Sequence, residues 1–131
     1  MEERRVAHRY RVPLPTSIRL IQSGPTPGEL HVITRDVSTS GIYFTSDQPL
    51  AIGARFDLSL TFPAEIANGS AVVVDAQARV LRVDQRQAED SDRFGIAAAI
   101  DRLNVSRTAV DFALHKAEQA IEKLQSATSS R

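Results

Sequence analysis

The sequence predicts a mainly β protein, a six-stranded antiparallel β-barrel followed by a C-terminal α-helix. Three observations predict it. Short runs alternate apolar and polar residues, turn residues separate most of them, and from Ser106 onward the apolar spacing changes to three and four. A barrel is preferred to an open sheet because so many short strands would otherwise leave bare edges. With 131 residues and 42% hydrophobic content, one domain with a modest core is expected.

Residues 1–11 show no periodicity and read as a mobile arginine-rich arm. The barrel is expected over 12–103, the helix over 104–127 and a disordered tail over 128–131. The first strand, about 12–22, puts Leu14, Ile18 and Leu20 on one face, with Thr16 the exception. Ser23-Gly24-Pro25-Thr26-Pro27-Gly28 is a turn cluster whose prolines bar a continuing strand, and 29–35 is strand-like again. The two runs form an antiparallel hairpin. A turn centred between residues 25 and 26 places Val12 near Thr39, so the arm enters the sheet beside a turn at 36–41.

Gly41-Ile42-Tyr43-Phe44-Thr45 begins a third strand, and Arg55 to Phe62 alternates without a break. Ala71 to Val83 puts Val72, Val74, Ala76, Ala78 and Val80 on one face, and the switch to Leu81 and Val83 predicts a bulge near Val80. Arg93 to Ile100 supplies the sixth strand. Ser106 is the expected N-cap of a helix whose apolar stripe is Val110, Ala113, Leu114, Ala117, Ile121 and Leu124. Such a stripe packs on its own barrel or carries a partner contact.

Sixteen Lys+Arg balance sixteen Asp+Glu, which disfavours a protein that grips nucleic acid through its phosphates. The positive charge is local instead. Fourteen of the sixteen are Arg, and Arg4, Arg5, Arg9 and Arg11 precede Val12. The planar guanidinium fork suits phosphate and guanine edges. No Cys is present, so disulfides and thiolate metal sites are excluded. His8, His31 and His115 lie in three different elements without metal-ligand spacing, and no metal site is expected. Ser38 lacks a nucleophile-elbow context and the acidic loop Glu89-Asp90-Ser91-Asp92 reads as solvated, so no catalytic residue is assigned. The charged N-terminus is not a signal peptide and no run is long enough to span a bilayer; a cytoplasmic protein without membrane insertion is expected.

Two motifs remain. Arg5-Val6-Ala7-His8-Arg9 has the form RxxxR, and Asp36-Val37-Ser38-Thr39-Ser40-Gly41 has the form [D/N]xSxxG. Taken alone, the second is equally a Ser- or Asx-turn satisfying its own backbone, closed by Gly41. Together, across a hairpin, the pair resembles the signature of the PilZ domain, and the strand count and final helix resemble that domain's layout over nearly the whole chain.

The resemblance implies binding of cyclic di-GMP, a second messenger with two guanines and two phosphates, and no other cofactor. Arg5 and Arg9 would hold phosphate and guanine edges, Asp36 would accept from the guanine amino and imino groups, Ser38 would bond phosphate or base, and Gly41 would let the backbone approach. Arg4, directly before the motif, implies an intercalated ligand dimer. The chemistry agrees: Arg pairs bidentately with guanine O6 and N7, and glycine permits a positive φ or a close approach. The resemblance also implies relay to a downstream protein partner in motility, adhesion or polysaccharide control, by a protein that is a monomer or weak homodimer. The rival is an adaptor of the same fold that binds nucleotide weakly or not at all. A non-specific RNA-binding barrel is disfavoured by the neutral charge and scarce aromatics.

Overall fold

The computed structural model describes residues 8–21, 28–67, 69–85 and 94–129, with side chains described as far as Leu124. Six strands, β1 (Pro15–Leu20), β2 (Glu29–Val37), β3 (Gly41–Ser46), β4 (Arg55–Phe62), β5 (Val72–Gln85) and β6 (Phe94–Leu103), precede one helix, α1 (Arg107–Ser129). The strands close into a barrel in the order β1-β2-β3-β6-β5-β4, every neighbouring pair antiparallel.

Alternation builds the core. Phe56, Leu58, Leu60 and Phe62 of β4 are buried, and each second residue between them is only half-buried. They meet Ile18 of β1, Ile42 and Phe44 of β3, Val74 to Val80 of β5, and Ile96 to Ile100 of β6 inside the barrel. Burying one such side chain contributes about 1.5–3 kcal/mol. Phe44 and Phe56 meet edge to face at 6.4 Å between centroids, filling the centre without a gap.

The predicted irregularity in β5 is present: the register with β6 shifts between Val80 and Arg82. Leu81, 51% exposed after buried Val80, is the extra residue, and the shift leaves Arg82 on the outer face as well. The β5–β6 register also shifts between Gln77 and Ala78, and the β2–β3 register between Thr34 and Asp36. On its other side Thr34 adds side-chain bonds to the backbone one from its amide to the Leu14 carbonyl. Thr34 Oγ1 donates to the Val12 carbonyl at 2.6 Å and accepts from the Leu14 amide at 2.9 Å, tying the segment before β1 to β2.

Four expectations are corrected. Pairing of β1 with β2 closes at Leu20 and Gly28, so the hairpin is centred near residue 24 and Val12 lies by Thr34, not Thr39. β2 runs on to Val37, past the expected end at residue 35, while β3 begins at Gly41 as expected. Val72 opens β5 at the barrel mouth and is 45% exposed. In α1, Val110, Leu114 and Ala117 are buried and Ala113 and Ile121 half-buried, whereas Leu124 is 55% exposed. The helix starts as read: Ser106 Oγ accepts from the Ala109 amide at 3.0 Å, and its carbonyl accepts from Val110.

Candidate ligand site at the β2–β3 turn

Residues before β1 carry the cationic half of the site. Tyr10 and Val37 exchange both backbone bonds, Tyr10 N to Val37 O at 2.8 Å and Val37 N to Tyr10 O at 2.9 Å. Instead of the mobile arm expected through residue 11, the chain is docked from Tyr10 by an isolated bridge, with Tyr10 and Val12 buried and Arg9 and Arg11 exposed on either side of Tyr10. Continued by one residue each way, that antiparallel bridge sets Arg11 level with Asp36 and Arg9 level with Ser38. Arg4 and Arg5 lie outside the described residues.

Helix α1 clamps this strand. The Tyr10 hydroxyl donates to Asp111 Oδ1 at 3.0 Å, and the Arg11 amide donates to Glu118 Oε2 at 2.8 Å. Burial, then the Asp111 carboxylate, pushes the Tyr10 phenol above its ordinary pKa. The His8 ring meets Tyr10 edge to face at 4.4 Å.

The turn itself is built by Ser38. Its hydroxyl accepts from the amides of Ser40 and Gly41, each at 3.1 Å, and its own amide donates to the Gly41 carbonyl at 2.9 Å. Ser38 is 4% exposed and its hydroxyl is engaged by the turn's own amides, as in a Ser-turn. Gly41 is also structural. Its φ is not positive; among the described glycines only Gly53 and Gly69 have one. A Cβ on Gly41 would stand 3.1 Å from the Ala98 carbonyl, so glycine lets β3 approach β6. Two further bonds brace the turn from outside: Ile100 N donates to Ser40 O at 2.9 Å, and Arg107 Nη1 donates to Thr39 O at 3.0 Å.

Asp36 differs. It is half-buried on the outer face, and among the described residues it has no hydrogen-bond or ion-pair partner. A carboxylate acceptor thus stands beside the strand that carries Arg9 and Arg11. Sequence reading missed Arg107, Asp111 and Glu118, because each meets a residue far away in the chain and no local pattern marks such a contact.

Two concavities lie elsewhere. A polar one of about 350 Å³ opens between Arg19, Asp57, Asp75 and Arg102. A larger groove of about 690 Å³ runs between Phe62 to Ala67 and α1, where Phe112, Lys116 and Lys123 form its wall. Phe112 is 63% exposed and lies under the Lys116 ammonium, 5.7 Å from ring centroid to Nζ. Neither contains Asp36 or Arg9. Among the described residues no helix is long and apolar enough to cross a membrane.

A closed six-stranded barrel with a terminal helix, presenting a braced polar turn against a cationic strand, defines a small single-sheet module. The chain belongs to the PilZ domain family, whose model matches residues 3–112. Among solved structures it is similar to the PilZ domain with c-di-GMP of YcgR from Escherichia coli, at 18% identity and a TM-score of 0.64, covering 98% of this chain and 99% of that one. It is also similar to the Bacillus subtilis inhibitor of motility MotI/DgrA, at 17% identity and a TM-score of 0.62 over 95% of this chain. MrkH of K. pneumonia follows at 12% identity and a TM-score of 0.52 over 100% of this chain. The chain spans about half the length of these last two, 53% and 54%. At such identities the likeness is one of fold. No curated protein matches the sequence.

Proposed function

We propose that this PilZ domain is a receptor for cyclic di-GMP that passes occupancy to a protein partner through α1. The reading takes Arg4, Arg5 and Arg9 as the cationic grip and Asp36 as the guanine acceptor, with Ser38 and Gly41 holding the turn that presents them. The observation that carries it is the Tyr10–Val37 backbone pair, which holds the end of the RxxxR segment against an unpartnered Asp36. The similar YcgR domain is described with c-di-GMP, and MotI/DgrA as an inhibitor of motility, which supports a signalling role. Charge-assisted bonds of this kind contribute about 1.5–3 kcal/mol each.

The relay rests on a shared clamp. Asp111 and Glu118 hold the arm and Arg107 holds the turn, all from α1. A ligand that draws the arginines over the turn therefore pulls on the helix from both ends of the site. The groove beside Phe112 favours the second reading, an adaptor that works through α1 without nucleotide.

Calorimetry with cyclic di-GMP on the wild type and on Arg5→Ala/Arg9→Ala separates them. Saturable heat that disappears in the double variant is the expected result. A native chain that gives neither heat nor a thermal shift leaves the adaptor.

A further inference from the structure

We propose that the ligand site continues across the outer face of the sheet, with Tyr43 as the platform on which a purine base stacks and Arg82 as a cation at its far edge; this rests on the cyclic di-GMP reading. Register supplies the first observation. Asp36 stands opposite Tyr43, Tyr43 opposite Ala97, and Ala97 opposite Arg82. Residues paired across strands share a face and lie about 5 Å apart, so these four form one row over β2, β3, β6 and β5. Tyr43 is the immediate neighbour of the unpartnered carboxylate, and Ala97 beyond it raises no wall.

The posture of Tyr43 is the second. A Cβ on Gly95 would overlap the phenol oxygen and lie 2.7 Å from Cζ, so the ring folds along the sheet over a glycine. It does not stand up from the strand. It is only partly buried there, so some of the ring surface is open to solvent. Arg82 is the third. Its Nε donates to both Asp84 oxygens, at 3.1 and 3.2 Å, which fixes the side chain and leaves both Nη groups without a described partner. Asp84, and to a smaller degree Tyr43, raises the Arg82 pKa, which places the phenol near that guanidinium.

A guanine whose amino edge met Asp36 would find an aromatic surface one strand spacing away and a guanidinium beyond it. The plain alternative is that Tyr43 only covers Gly95, as aromatics do for glycines in sheets. Chemistry distinguishes the two, because a stacking platform needs the ring and not its hydroxyl.

The test is calorimetry with cyclic di-GMP on the full chain, comparing wild type, Tyr43→Ala, Tyr43→Phe and Gly95→Ala, each checked for folding by thermal melt. Tyr43→Ala is expected to weaken binding about tenfold or more, and Tyr43→Phe by no more than about twofold. Gly95→Ala, which displaces the ring, should weaken it like Tyr43→Ala. The chain has two Tyr and no Trp, so tyrosine emission is a second readout. Saturating ligand should quench the wild type and leave Tyr43→Phe unquenched; where Tyr43→Ala does not fold, equal quenching of the two overturns the platform. A folded Tyr43→Ala that binds like the wild type overturns it as well, and leaves the receptor reading intact. A wild type that does not bind cyclic di-GMP overturns both.

Discussion

The turn Asp36–Gly41 and the strand Arg9–Arg11 face each other, yet they are made differently. The turn is closed on itself: Ser38 satisfies two amides, and β6 and α1 brace Thr39 and Ser40 from outside. The strand is held at Tyr10 and by the Arg11 amide on Glu118, while the Arg9 side chain reaches solvent without a described partner. Two motif residues, Ser38 and Gly41, therefore belong to the scaffold. Asp36 and Arg9 belong to the surface. A signature that looks uniform in sequence divides, among the described residues, into a part that folds the turn and a part left on the surface.

Substitutions should separate the halves. Removing the surface half has the largest effect and falls on binding alone. Arg9→Ala and Asp36→Ala should each weaken cyclic di-GMP binding about ten- to a hundredfold, the equivalent of losing one charge-assisted contact, with melting temperature unchanged. Calorimetry beside a thermal melt reads both. Ser38→Ala should do the reverse, lowering stability by about 1–3 kcal/mol in urea titration because two turn amides lose their acceptor. If Ser38→Ala instead kept full stability and lost only binding, the division would be wrong.

Gly41→Ala comes next. Its Cβ meets the Ala98 carbonyl at 3.1 Å, and since that neighbour is backbone, a loss of about 1–2 kcal/mol is expected, read from the same titrations. The smallest effect is on the strand's anchor and depends on pH. The Tyr10 phenol is raised in the folded state, so the native chain keeps its proton when the unfolded chain has lost it. Stability from Tyr10 is therefore complete below the ordinary phenol value of 10.0 and declines as pH rises through the folded pKa. In Tyr10→Phe that part of the alkaline decline should be absent in melts taken from neutral to alkaline pH.

Much of this was legible in advance, for identifiable reasons. Strict alternation from Arg55 to Phe62 leaves no other reading, and a parity change at Leu81 can only be a bulge or a bend. Ser106 marks a helix start through its own hydroxyl. Hairpin register was not legible. It depends on which residue of a run rich in turn formers ends the first strand, and composition does not fix that. The docking of Tyr10 was hidden too, since its partners, Val37 and Asp111, are distant in the chain. Asp36 was recognised by motif, but its lack of a partner is a property of three dimensions.

The distribution of amines has a practical side. The chain's two lysines, Lys116 and Lys123, both line the groove on α1, and everything else that is basic is arginine or histidine. Acylating reagents will therefore modify that helix face and the chain terminus and spare the arginines. Cross-linkers of the same chemistry would freeze a protein seated on α1, and a fluorophore placed there would report helix movement without touching Asp36 or Arg9.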